Sequence, residues 1–360
     1  MKKFLFLVLI SVMSVNSLVA QVGITPIHSF APTVVASGYC GAQGDNLTWT
    51  LTCDSVLTIS GNGDMMDYVL FTGFAPWFPH ESAIRAVVIR NGVTSIGNAA
   101  FGHHRRLSSV TIPNSVTSIG DLAFAHARAL TSVIIPKSVT TIGHFAFGAC
   151  RALTSIDVDI NNQYFSSENG VLFDKSKTTL IQYPPGKPNT VYIIPNSVTT
   201  IGNEAFFQSR NLISVVIPEG VTNIGNSAFS GCSGLTSIVI PNSVVAIGNQ
   251  AFFACSNLTS VIIGDGAISI GDRAFANCRN LTSVTIGKSV KTIGEQAFSS
   301  CRNLTSITCY ALTPPTLSVA AFNGVNKESV SLYVPEKSIE LYRGDEHWSH
   351  FQTIIKIETK

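Results

Sequence analysis

Residues 247–263 read IGNQAFFACSNLTSVII, and the phrase returns at 270 as IGDRAFANCRNLTSVTI and at 293 as IGEQAFSSCRNLTSITC. The pattern Ile-Gly-x-x-Ala-Phe starts at Ile96, Ile119, Ile142, Ile201, Ile224, Ile247, Ile270 and Ile293, and every step is 23 residues except one of 59, a regular step plus 36. Eight copies at constant spacing identify an array in which each unit buries its apolar side only against its neighbours.

Within a unit, Leu258, Val261 and Ile263 form L-x-x-V-x-I, which ends in the period-two alternation and β-branched richness of a strand. These three point inward, and Ser260 and Ile262 point outward. A proline (Pro113, Pro136, Pro195, Pro218, Pro241) or a glycine (Gly264, Gly287) closes the strand. A small residue follows, then two inward apolar residues and the glycine that turns the chain. The Ala-Phe pair supplies a plug such as Phe252 or Phe275 from a short helical or irregular turn. Like strands of successive units then pair at about 4.8 Å, so eight to ten coils make a parallel sheet roughly 40–50 Å long. Both ends of the chain depart from the repeat, as segments capping raw sheet edges should.

The units, IGxxAFxxCxxLTSVxIPxSV, resemble the BspA-type leucine-rich repeats of bacterial surface proteins over about residues 84–335. The resemblance implies a leucine-rich repeat solenoid of α/β type, a parallel β-sheet of stacked 23-residue coils capped at both ends. Residues 21–83 resemble the β-rich N-terminal flank that accompanies such repeats, and 336–360 resemble their C-terminal cap. The pattern departs from better-known leucine-rich repeats in lacking their asparagine ladder, because the small Ser or Gly after the proline stands where that Asn would be. A 36-residue insertion near 157–190 reads as a hairpin, Val171 to Phe173 and Thr179 to Tyr183 around Asp174 to Lys177, protruding as a bulge without dividing the array.

The chain opens MKKFLFLVLISVMSVNSLVAQ: two lysines, an apolar run from Phe4 to Met13, a polar break and Ala20 before Gln21. This is the plan of a signal peptide over 1–20, too short in its apolar run to span a bilayer, and no later segment is long enough for a membrane span in the mature chain. Export to the cell surface or the medium follows, with the periplasm as the alternative compartment. Charged residues make up 12% of the chain and the formal net charge is +2, a balance without a nucleic-acid footprint or a polybasic membrane patch.

Eight cysteines in an exported chain raise the question of disulfides. Cys150, Cys232, Cys255, Cys278 and Cys301 share one repeat position, so they stack as a line of buried thiols whose parallel Cβ vectors suit neither a disulfide nor a converging zinc site. Cys309 takes an inward strand position. Cys40 and Cys53 flank a short hairpin and are expected to form the one disulfide. Asp157, Asp159, Asn161 and Glu168 mimic calcium-loop spacing, but Asn162 stands where a glycine is needed. His103, His104 and His126 on the convex side, and His347 with His350, read as surface histidines. No nucleophile elbow, phosphate loop, dinucleotide fingerprint or HExxH occurs, so no enzyme and no cofactor are expected. Arg343-Gly344-Asp345 spells an adhesion tripeptide within the cap.

The outward strand columns remain. One is nearly all serine, including Ser214, Ser237 and Ser260; the next places Ile193, Val216, Val239 and Ile262 in consecutive coils. The expected site is this face, a rigid surface of exposed apolar residues flanked by hydroxyls. What the family resemblance implies is adhesion, to a host matrix or plasma protein or to another bacterial surface component. The competing readings are a glycan-binding accessory protein, which a row of outward aromatics would favour, and a purely structural surface-layer spacer.

Overall fold

The computed structural model describes residues 31–358; the leader expected over 1–20 lies outside the described residues. The chain from Val34 onward winds as a solenoid whose interior is packed by the repeated positions. On one side of each coil lies a strand of up to four residues, as in Ser237–Ile240, Ser260–Ile263 and Ser283–Ile286, paired parallel and in register, Ser237 with Ser260 and Val239 with Ile262. These strands form the main sheet. Their alternation holds throughout, with Ile238, Val261 and Val284 buried and Val239 and Ile262 exposed.

A second sheet was not legible in the sequence. The two residues before the turning glycine pair from coil to coil, Asn223–Ile224 with Ala246–Ile247 and these with Ser269–Ile270, so each coil contributes to two ladders. Two residues are too few to display a period. The glycine that follows is demanded by stacking: a Cβ on Gly248 would lie 2.6 Å from the carbonyl carbon of Gly225 and 2.7 Å from the nitrogen of Asn226.

The Ala-Phe segment is neither helical nor irregular. Gln250 and Ala254 take φ of 57° and 56°, and the same two positions are left-handed in every repeat from Ala99 to Ser300. This otherwise costly backbone lets alternate N–H groups reach the next coil, Gln250 to the Asp272 carbonyl at 2.8 Å and Phe252 to that of Ala274 at 2.7 Å, while those between close tight turns within the coil. The plugs then stack ring on ring: Phe229, Phe252 and Phe275 lie 5.0 Å apart with interplanar angles of 3° and 1°.

An amide ladder is present, with only a short counterpart after the strand-closing proline, where Asn242 accepts from the Asp265 N–H and Asp265 from that of Lys288. The side-chain oxygen of Asn203 accepts from the Asn226 N–H, Asn226 from Asn249, Asn249 from Asp272 and Asp272 from Glu295, at 2.7–2.8 Å. The ladder residue is the one following the turning glycine.

Both ends are plugged by aromatics. At the start, strands Val34–Gly41, Gly44–Thr52 and Val56–Gly61 run antiparallel, and the third pairs parallel with Ala86–Ile89, so the flank continues the main sheet without a break. Trp77 stacks on Phe101 and donates from its indole to the Ala100 carbonyl. At the far end Phe322 meets Trp348 and Phe351, and strands Ser331–Val334 and Thr353–Lys356 extend the sheet.

The insertion differs from the protruding bulge expected. Its hairpin forms where the sequence placed it, with Val171–Asp174 antiparallel to Thr179–Gln182, but Val171, Leu172 and Phe173 are all fully buried. Leu172 packs into the core of the coils before it, and Val171 and Phe173 into the core of those after it. A strand apolar on both faces has to be enclosed. Asn162, buried, ties the insertion to the preceding coil by donating to the Pro136 and Val139 carbonyls. The insertion thus divides one hydrophobic interior into two stacks.

Candidate functional site

The main-sheet face is set by strand alternation, with every second side chain outside. Ile193 is 68% exposed, Val216 48%, Val239 57% and Ile262 47%, and register places Ile193 beside Val216 and Val239 beside Ile262. Ser214 and Ser260 are half-buried and Ser237 is exposed, giving a row of hydroxyls beside the apolar row. Beyond Ile262 the column turns polar with Thr285 and Thr308, then reaches Tyr333, which pairs with Thr308. That tyrosine was missed because it lies past the last repeat, where spacing no longer predicts register. Among the described residues this outward column carries one aromatic and no row of them.

The other residues singled out in the sequence fall elsewhere. In the cap, the Arg343 guanidinium bonds Glu340 at 2.9 Å, and the Asp345 carboxylate accepts from the His347 and Trp348 N–H groups, while Gly344 lies on the surface between them. Both charged ends of the tripeptide are engaged in holding the short C-terminal helix Ile339–Gly344 and the turn after it.

The disulfide between Cys40 and Cys53 is not formed; both thiols are free. The hairpin pairs Gly41 with Gly44 at its turn and Val34 with Thr52 at its open end. Cys40 therefore sits by the turn and Cys53 beyond the open end, about six strand residues or roughly 20 Å apart, whereas a disulfide needs Cα atoms within about 7 Å.

The five repeat cysteines are buried and free, and each has a partner the sequence did not suggest. The Cys255 thiol donates to the Phe229 carbonyl at 3.2 Å and the Cys278 thiol to that of Phe252 at 3.2 Å, each in the coil before. Burial pushes Cys150 and Cys232 up to about 12, far from the thiolate form a nucleophile needs. His104 is not a surface residue. It occupies this same column, fully buried, and burial pushes its pKa down to about 4. His103 and His126 are half-buried, with rings stacked 4.5 Å apart.

At the division between the stacks lies a cavity of about 420 Å³ lined by His144, Phe145, Gln182, Asn203 and Glu204. Burial raises the Glu204 carboxyl, opposed by His144. Among the described residues no cluster of three or more His, Cys, Asp or Glu could hold a metal ion, and no helix is long and apolar enough to cross a membrane.

Among solved structures, the chain is similar to a leucine-rich repeat protein from Eubacterium ventriosum, at 29% identity over 81% of this chain and 95% of that one, with a TM-score of 0.59. It is also similar to the pneumococcal vaccine antigen PcpA, at 20% identity over 91% of this chain and 100% of that one, with a TM-score of 0.63; that likeness concerns the fold. No curated protein matches the chain. The BspA type leucine rich repeat region matches residues 77–187, 186–305 and 223–342. Together with the 23-residue coils and their stacked phenylalanines, this match establishes that the chain belongs to the BspA-type leucine-rich repeat family.

Proposed function

We propose that this protein is an exported or cell-surface binding protein without enzymatic activity, which captures a macromolecular partner on its main-sheet face. The observation that carries the reading is the run of four exposed β-branched residues, Ile193, Val216, Val239 and Ile262, in consecutive coils, paired across neighbouring strands as Ile193 with Val216 and Val239 with Ile262. Apolar area gathered in one place on an otherwise hydroxyl-rich surface marks an interaction site. The residues are held by strand pairing before any partner arrives, so little ordering entropy is lost on binding. The partner class is a matrix or plasma protein of a host, or another bacterial surface component. Adhesion is the biological role this serves, and it depends on the export expected from the first twenty residues.

The test is capture from plasma and matrix extracts by the full chain and by Val216→Lys/Val239→Lys/Ile262→Lys, beside a glycan array. The reading expects the triple variant to stay folded and lose capture. Unchanged capture moves the site elsewhere, and neutral-glycan binding that survives the substitutions supports the glycan-binding alternative.

A further inference from the structure

A second surface, on the corner between the phenylalanine turns and the main strands, carries chemistry unlike that of the sheet face. The residue after the cysteine position is Arg105, Arg128, Arg151 and Arg210 in four successive repeats, and all four are exposed. Two positions earlier in the first two of these coils, His103 stacks on His126 with rings 4.5 Å apart, so the coils carrying Arg105 and Arg128 are neighbours on this surface. Across the division between the stacks the Arg151 Nε donates to the Gln208 Oε1 at 3.3 Å, so the row continues past the insertion. Lys187 of the insertion lies in the same corner, bonded to the Thr154 and Asn169 carbonyls, and Arg106 adjoins Arg105.

Four ion pairs occur among the described residues, Lys177 with Glu168, Lys288 with Asp265, Arg343 with Glu340 and Lys356 with Glu336, and none involves these arginines. Among the acids nearby, Glu81 lies close enough to His103 to oppose its depression, and Asp157 close enough to Lys187 to oppose the lowering that burial causes there. The charge shows in its neighbours. Burial lowers His126 first, and His103, Arg128, Arg105 and Arg151 add to the effect, leaving it at about 4. A +2 chain has thus gathered unpaired guanidinium groups into a single file roughly 15–20 Å long, at about 4.8 Å per coil.

From this row we infer a site for a linear sulfated polysaccharide, lying along the corner with its sulfate groups on Arg105, Arg128, Arg151 and Arg210. The site is independent of the partner face described above. Guanidinium forks bind sulfate-like oxygens in pairs and are weakly hydrated, which suits them to a string of anionic groups. A single-stranded nucleic acid would be met by a row of exposed aromatic platforms for successive bases, whereas the aromatics beside the arginines are Phe71, edge-on to His103, and the half-buried Phe145, packed between His126 and Phe207. A duplex would need a broad basic face, which a one-residue-wide file is not.

The experiment uses the full chain on immobilised heparin, with salt titration. The test variant is Arg105→Ser/Arg128→Ser/Arg151→Ser/Arg210→Ser, serine being the residue this column already holds at Ser233 and Ser256. Arg279→Ser/Arg302→Ser is the control. The quadruple variant should lose at least tenfold in affinity, and its log affinity against log salt slope should shrink by about three, at roughly 0.7 per lost contact. The control should bind as wild type. On the unmodified protein, desulfated heparin should fail to compete. Equal binding by the quadruple variant, competition by desulfated heparin, or tighter binding to single-stranded DNA or polyglutamate of matched charge each overturns the assignment.

Discussion

Before the insertion, the position following the inward plug-and-thiol segment reads Arg105, Arg128 and Arg151 on the surface, above His104, Ala127 and Cys150 inside; after it, the outer column reads Arg210, Ser233, Ser256, Arg279 and Arg302, its arginine run broken by two serines, while the inner one becomes four consecutive cysteines, Cys232 to Cys301. The outward strand column changes the other way, holding Thr111, Ile134 and Asp157 in the first stack and four consecutive apolar residues, Ile193, Val216, Val239 and Ile262, in the second. This solenoid repeats one interior pattern in both stacks and carries two surfaces. Inside, each position must match its copies because it touches them; outside, nothing but the partner constrains the choice.

The comparison breaks most severely at the plugs. Phe252→Ala, in the middle of the regular ladder, should cost about 3–5 kcal/mol, read by denaturant unfolding, with hydrogen exchange rising first in the second stack. Phe173→Ala should show the same locality from the dividing strand, because Phe173 packs only with the later coils. Equal loss of protection in both stacks would mean that the divided core unfolds as one unit.

The first stack should be the acid-sensitive one. His104 has a folded pKa depressed by burial to about 4 despite accepting help from the Gly102 and Phe101 carbonyls, against an ordinary value near 6.5. Between these values the unfolded chain binds the extra proton, so stability is complete above about 6.5 and is lost as pH falls toward 4, by roughly 3 kcal/mol. His104→Cys, which installs the residue found at Cys150, should reduce that dependence in thermal melts at pH 7 and pH 4.5, leaving the share of His103 and His126, also depressed by burial. An unchanged slope would place the acid sensitivity elsewhere.

A smaller effect separates the ladders. Asn226→Ala removes one acceptor from the amide column and leaves the Asn249 N–H without its side-chain partner, which should cost about 1 kcal/mol, measured by chemical denaturation. A matching loss from Asn98→Ala, whose Oδ1 serves the Asp121 N–H, would show that the ladder works alike in both stacks.

Much of the interior was readable, since Ile247, Ala251, Phe252, Cys255, Leu258, Val261 and Ile263 recur at a fixed spacing and recurrence at contact positions means stacking. The second sheet escaped because two-residue strands have no period, and the left-handed turns because Gln250 and Ala254 are residue types that give no such signal. The insertion was legible as a hairpin but not as a wall: three apolar residues in a row, Val171, Leu172 and Phe173, already carried the sign of burial on both faces. The disulfide expectation failed because proximity along a hairpin is set by register, which Cys40 and Cys53 do not reveal. The arginine corner was hidden by a net charge that averages over the whole surface.

The central claim is that the second stack's main-sheet face holds the partner. Hydroxyl-radical footprinting of the full chain, free and saturated with captured partner, reads side-chain accessibility directly. The account predicts protection concentrated on Ile193, Val216, Val239 and Ile262, with Ile134 on the first stack still reactive. Protection centred on the insertion, the C-terminal cap or the exposed Phe71 and Tyr39 of the flank, with the stripe unchanged, would contradict it.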